Sequence, residues 1–205
     1  MTGCCRFVGL VFASAVALTV AGTASAADVQ LRPFVAFTFA GDTTFVPNLA
    51  EAAGKAHGTI GVGAAVLGEV IGFDVEVAHT PGFFQTGDTN LIVGSSVTTV
   101  VGDVVIAMPG RLSEYTLRPY VLAGGGIVRA NSQDNLDVFG FTQVLPAVDF
   151  GAGAIGFLTR RVGLAWEIRR FQSIGSRDTL SGISLGPEKL SFWRLSMAVA
   201  IRSKR

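Results

Sequence analysis

Two stretches of this chain alternate strictly. Ile71-Gly72-Phe73-Asp74-Val75-Glu76-Val77 and Val162-Gly163-Leu164-Ala165-Trp166-Glu167-Ile168 carry large apolar side chains at one parity and only Gly, Ala or an acid at the other. Successive side chains of a strand point to opposite faces, so each stretch is a strand between two very different media. A wetted face would be rich in Lys, Glu and Gln. Here it holds small residues and isolated carboxylates, in a chain with only three lysines, Lys55, Lys189 and Lys204. Such strands suit a barrel with an apolar outside and a narrow polar inside, a form that only a lipid bilayer rewards.

The same alternation recurs in eight segments: about Leu31–Ala40, Gly58–Val66, Val70–Ala78, Ser95–Met108, Leu117–Arg129, Ala147–Leu158, Val162–Arg169 and Leu190–Arg202. Between them, short turns at Leu67–Glu69, Pro109–Tyr115 and Thr159–Arg161 alternate with four long stretches rich in Asn, Asp, Pro, Gly and Ser. These are about Gly41–His57, His79–Gly94, Ala130–Pro146 and Phe171–Glu188, and Leu49–Ala56 could form a helical turn within the first. Short turns on one rim and long loops on the other fit an all-β, eight-stranded antiparallel up-and-down transmembrane β-barrel. Leu31-Arg32-Pro33-Phe34-Val35 returns as Leu117-Arg118-Pro119-Tyr120-Val121, opening the first and fifth strands. Proline is a strand-end or edge residue, so Pro33 and Pro119 are expected at the short-turn rim.

The N-terminus supplies an address. Arg6, the apolar run Phe7–Ala21 and Ala24-Ser25-Ala26 have the layout of a secretory signal peptide, with residues 1–26 removed and 27–205 forming the barrel domain. The apolar run is shorter than a membrane helix needs. Cys4 and Cys5 leave with that segment, so the mature chain has no thiol and no Cys metal site. Loss of Arg6 takes the formal charge from +1 to zero, which gives no reason to expect a nucleic-acid partner. Hydrophobic residues make up 49% and mean hydropathy is +0.51, yet no segment after the leader reaches 18 unbroken apolar residues.

Charges at the inward parity are Arg32, Arg118, Arg169 and Arg194 against Asp74, Glu76, Asp103, Asp149 and Glu167. Eight strands enclose a space that side chains just fill. A lone charge there is costly, so these nine are expected to pair in a structural network that closes the lumen; a narrow ion path is the functional alternative. His57 and His79 fall near strand ends. With no G-x-S-x-G elbow, and with Thr59 and Thr80 as the nearest hydroxyls, no catalytic residue, metal site or cofactor is expected. Phe37, Phe39, Trp166 and Trp193 are outward aromatics of the girdle kind. Phe83 and Phe84, after Pro81-Gly82, are expected to anchor at the outer interface or pack over the mouth, or else to form a loop contact site.

The run Leu31-Arg32-Pro33-Phe34-Val35-Ala36-Phe37-Thr38-Phe39-Ala40-Gly41-Asp42, the stretch Thr80-Pro81-Gly82-Phe83-Phe84 and Leu190-Ser191-Phe192-Trp193-Arg194 resemble small bacterial outer-membrane β-barrel proteins of the OmpA/OmpX-like, eight-stranded type. The resemblance implies an integral, non-enzymatic protein of the outer membrane, in a structural or loop-displaying role. It also implies outer-membrane lipid and the outer-membrane assembly machinery as partners, and leaves the oligomeric state open. Such proteins typically end on an aromatic residue, whereas this chain ends Ile201-Arg202-Ser203-Lys204-Arg205; no peptidoglycan-binding domain is expected after the last strand. A second architecture shares the periodicity: a periplasmic lipocalin-like calyx with Phe37, Phe73, Val75 and Trp166 lining a pocket for a hydrophobic ligand. It would expose Gly61, Gly63, Gly72, Gly151, Gly153 and Gly163 to water, so the membrane barrel is the better reading.

Overall fold

A computed structural model describes residues 28–43, 54–83, 92–109, 117–134, 141–174 and 189–203. The described residues form eight strands: β1 (Asp28–Thr43), β2 (His57–Leu67), β3 (Ile71–Pro81), β4 (Ile92–Ala107), β5 (Leu117–Asp134), β6 (Phe141–Phe157), β7 (Val162–Ser173) and β8 (Leu190–Arg202). Each pairs antiparallel with its sequence neighbours, and β8 pairs back onto β1 to close the barrel. Closure leaves no strand edge unpaired, which in hydrocarbon is the condition for a β-structure to exist at all.

Burial follows the parity in the sequence. Along β3 the pattern alternates without a break, Ile71, Phe73, Val75 and Val77 exposed and Gly72, Asp74, Glu76 and Ala78 buried. Phe37, Val75 and Trp166, which the calyx needs inside, face outward with 61%, 56% and 45% of their surface exposed. The calyx is therefore excluded: its ligand-lining residues form the outside of the wall.

Local chemistry explains the ends. Between β2 and β3 the chain turns through Gly68, whose N–H bonds to Ile71 O at 2.9 Å. Between β6 and β7 the Thr159 hydroxyl accepts from the N–H groups of Arg161 and Val162. β1 carries a bulge between Phe39 and Asp42, where Ala40 takes a positive φ of 49°. At the other end the strands run beyond the sequence estimate. β5 continues to Asp134 and β6 begins at Phe141, pairing over residues expected as loop, such as Asn131 with Thr142. Polar composition marks departure from the bilayer, whereas the ladder ends only where pairing stops. Pro33 also differs from expectation: it lies inside β1, facing outward and opposite Val62. The helical turn expected at Leu49–Ala56 falls almost wholly outside the described residues.

Candidate functional site

The inward face builds three layers. At the short-turn end Phe34, Leu67, Val105, Leu122, Ile155 and Ala200 belong to one buried apolar cluster. At the long-loop end Phe83, Val97, Leu145, Phe171, Leu190 and Phe192 form another. The charged residues lie between.

Arg169 of β7 is the hub. Its Nη2 lies 2.8 Å from Asp74 Oδ2 and 3.4 Å from Glu76 Oε2; its Nη1 bonds Asp103 Oδ2 and lies 3.3 Å from Asp149 Oδ2; its Nε donates to Glu167. Arg32 donates to the other oxygen of Asp74, and Arg194 to Glu76. Tyr120 OH adds a 2.8 Å bond to Glu167. Arg194 also sits over the Phe171 and Phe34 rings, 4.6 and 5.2 Å from their centroids, and so touches both apolar layers. Apolar contact is what a guanidinium tolerates better than an ammonium, which suits the choice of Arg over Lys here.

The register explains the convergence. Asp74 of β3 lies opposite Asp103 of β4; Asp103 lies opposite Gly124 of β5, and Gly124 opposite Asp149 of β6. Four of the five acids thus lie on β3, β4 and β6 and the fifth, Glu167, on β7, while arginines project from β1, β7 and β8. Gly124 is required: a Cβ there would come within 2.1 Å of Asp103 Oδ1 and 2.2 Å of Gly102 O. A small cavity of about 10 Å³, roughly the space of one water, is lined by Arg32, Asp74, Glu76, Tyr120, Glu167 and Arg169 among others.

Eight of the nine charges singled out in the sequence meet in this layer. Arg118 does not. It is half-exposed at the short-turn rim, where it donates to the backbone carbonyls of Met108, Gly68 and Glu69 at 2.7–2.8 Å. As the second residue of β5 it has the inward parity but sits too low, and turn carbonyls reach it before any carboxylate does. Its removal leaves three guanidinium groups facing five carboxylates. Tyr120, Thr99 and Ser196 join the polar layer without having been singled out; their inward parity was the available signal.

For Phe83 the contact-site alternative does not hold. The ring is fully buried, stacked edge-on to Phe192 at 5.5 Å and tilted against His57 at 5.4 Å. Gly82, at φ 69°, turns the chain back over the mouth, so Phe83 is no exposed contact residue. Of the two packings expected of it, the one over the mouth is what the structure has. Phe84 lies outside the described residues. Thr59 and Thr80, the hydroxyls nearest the histidines in sequence, bond each other at 2.7 Å, and His79 faces outward against Thr98 at 2.9 Å. No group of three potential metal ligands occurs among the described residues.

An apolar outer belt, a closed antiparallel wall and a charged, filled interior decide the architecture. The fold is the eight-stranded outer-membrane β-barrel. No family model matches the sequence, and a search of curated proteins finds no match. Solved structures do resemble it. Neisserial surface protein A aligns over 87% of this chain and 98% of its own at 14% identity, TM-score 0.59. OprG of Pseudomonas aeruginosa aligns over 88% and 97% at 8% identity, TM-score 0.56. A major outer membrane protein of Thermus thermophilus aligns over 86% and 100% at 14% identity, TM-score 0.50. At such identities the likeness concerns the barrel and not what it does.

Proposed function

We propose that this chain is a secreted, integral protein of a bacterial outer membrane, without enzymatic activity, in which a closed barrel anchors or displays its long loops and conducts little. One observation carries the reading: the charge layer, with Arg169 bonded to carboxylates from four strands, lies between two buried apolar layers. Ions crossing it would have to break charge-assisted bonds and then pass Phe171, Phe192 and Leu145. The short-turn rim would face the periplasm and the long connections the exterior.

Planar bilayer recording tests this. Wild-type protein is expected to give small, irregular conductance. Large, steady, ion-selective channels would refute the closed lumen and turn the same charges into a filter. Fractionation tests the location: the mature protein should stay with outer membranes and need detergent for release.

A further inference from the structure

The outside of the wall carries few charges, and one of them, Arg129, meets no side-chain partner among the described residues. Outward residues of β5 run Leu117, Pro119, Val121, Ala123, Gly125 and Ile127, then Arg129 and Asn131. At about 3.3 Å per residue and a tilt of about 40°, Leu117 to Ile127 rises about 25 Å, the full height of an apolar belt. Arg129 therefore begins where hydrocarbon ends. It is exposed and, among the described residues, makes no ion pair or hydrogen bond. Arg170, by contrast, lies over the Trp193 ring and donates to Ser191.

Arg129 sits beside Thr98 of β4 in the ladder, and Thr98 beside His79 of β3, whose Nδ1 is 2.9 Å from the threonine hydroxyl. A polar row thus crosses three strands at the loop-side end of the belt. No acid whose side chain is described faces outward on β3 to β6. An interfacial guanidinium with no protein acceptor matches a phosphate, which it holds by two parallel charge-assisted bonds.

We infer that the His79–Thr98–Arg129 row is a lateral binding site for the phosphate of an anionic lipid headgroup in the loop-side leaflet. Arg129 supplies the pairing, and the imidazole held by Thr98 supplies the second polar edge. The inference rests on the membrane reading above.

The test uses the full mature chain in phosphatidylcholine nanodiscs containing a minor fraction of lipid A, with native mass spectrometry counting retained lipid. Wild type should retain lipid A over phosphatidylcholine, and Arg129→Gln about tenfold less. Thr98→Val, a second variant, should reduce retention several-fold. Arg160→Gln, which removes an exposed arginine at the opposite rim, should retain as wild type does. Equal retention by wild type and Arg129→Gln, or an equal loss in Arg160→Gln, overturns the site. A folded, heat-resistant band in phosphatidylcholine vesicles without lipid A is recorded first. Its absence would overturn the membrane reading itself, whereas folding without lipid retention overturns only the site.

Discussion

Arg169→Leu should be the most damaging single substitution of a lumen charge. Asp74 would keep Arg32, Glu76 would keep Arg194, and Glu167 would keep the Tyr120 hydroxyl. Asp103 and Asp149 would keep no cation, because Arg169 is the one arginine that reaches either among the described residues. Removing one partner of a buried pair costs about 3–5 kcal/mol, since the remaining charge stays desolvated and unmatched. Two carboxylates are stranded at once here, so the upper end of that range is expected. Arg118→Ala removes three bonds at a half-exposed rim and should cost about 1–2 kcal/mol. Denaturant titration of protein folded in phosphatidylcholine vesicles measures both. Asp103→Asn and Asp149→Asn, added to Arg169→Leu, should restore more than half of the loss, giving a strong coupling in a double-mutant cycle. If Arg169→Leu costs no more than Arg118→Ala, or the two asparagines restore nothing, the hub assignment is wrong.

Val75→Arg, on the outward face in mid-strand, should cost about 2–4 kcal/mol in lipid, while Ser196→Ala, inside, should cost about 1 kcal/mol; the reverse order in the same titration would invert the faces. Gly124→Ala should abolish folding or cost at least about 3 kcal/mol, because its Cβ meets backbone as well as Asp103; near-native stability by circular dichroism melting would contradict the register. Not every inward glycine is a mild site: a Cβ on Gly72 would lie 2.6 Å from Leu67 Cδ2 and 2.7 Å from Val66 O, so Gly72→Ala should also destabilise. Cleavage is expected after Ala26, and N-terminal sequencing of the mature protein that begins before residue 20 would refute it.

Which face a residue takes was legible from parity alone, as with Asp74, Glu167 and Trp166. Height and partnership were not. Arg118 shares the inward parity of Arg169, yet the two differ in level, and level depends on the register of strands from distant parts of the sequence. That Arg169 of β7 would reach Asp74, 95 residues earlier, follows only from barrel closure. For Phe83 the sequence offered packing over the mouth without deciding for it: Pro-Gly-Phe reads as loop, and the inward turn depends on the backbone Gly82 adopts. The upper ends of β5 and β6 were missed because Ser, Asn and Gln mark departure from lipid as readily as departure from a ladder.

The ion pairs also impose an order of assembly. Apart from the contacts of Arg169 with Glu167 and Asp149, the pairs of the charge layer join strands that are not neighbours in the wall: β1 with β3, β8 with β3, and β7 with β3 and β4. In a sheet built only from β1 to β6, the carboxylates of Asp74, Glu76, Asp103 and Asp149 would face Arg32 as their only cation from the layer. Such a sheet would repel itself and stay hydrated. β7 brings Arg169, and β8, which forms the seam with β1, brings Arg194. Supplying most of the interior's cations and sealing the wall are then coupled, so a chain missing its final pair of strands should stall as a wet, open intermediate and not settle into a smaller barrel.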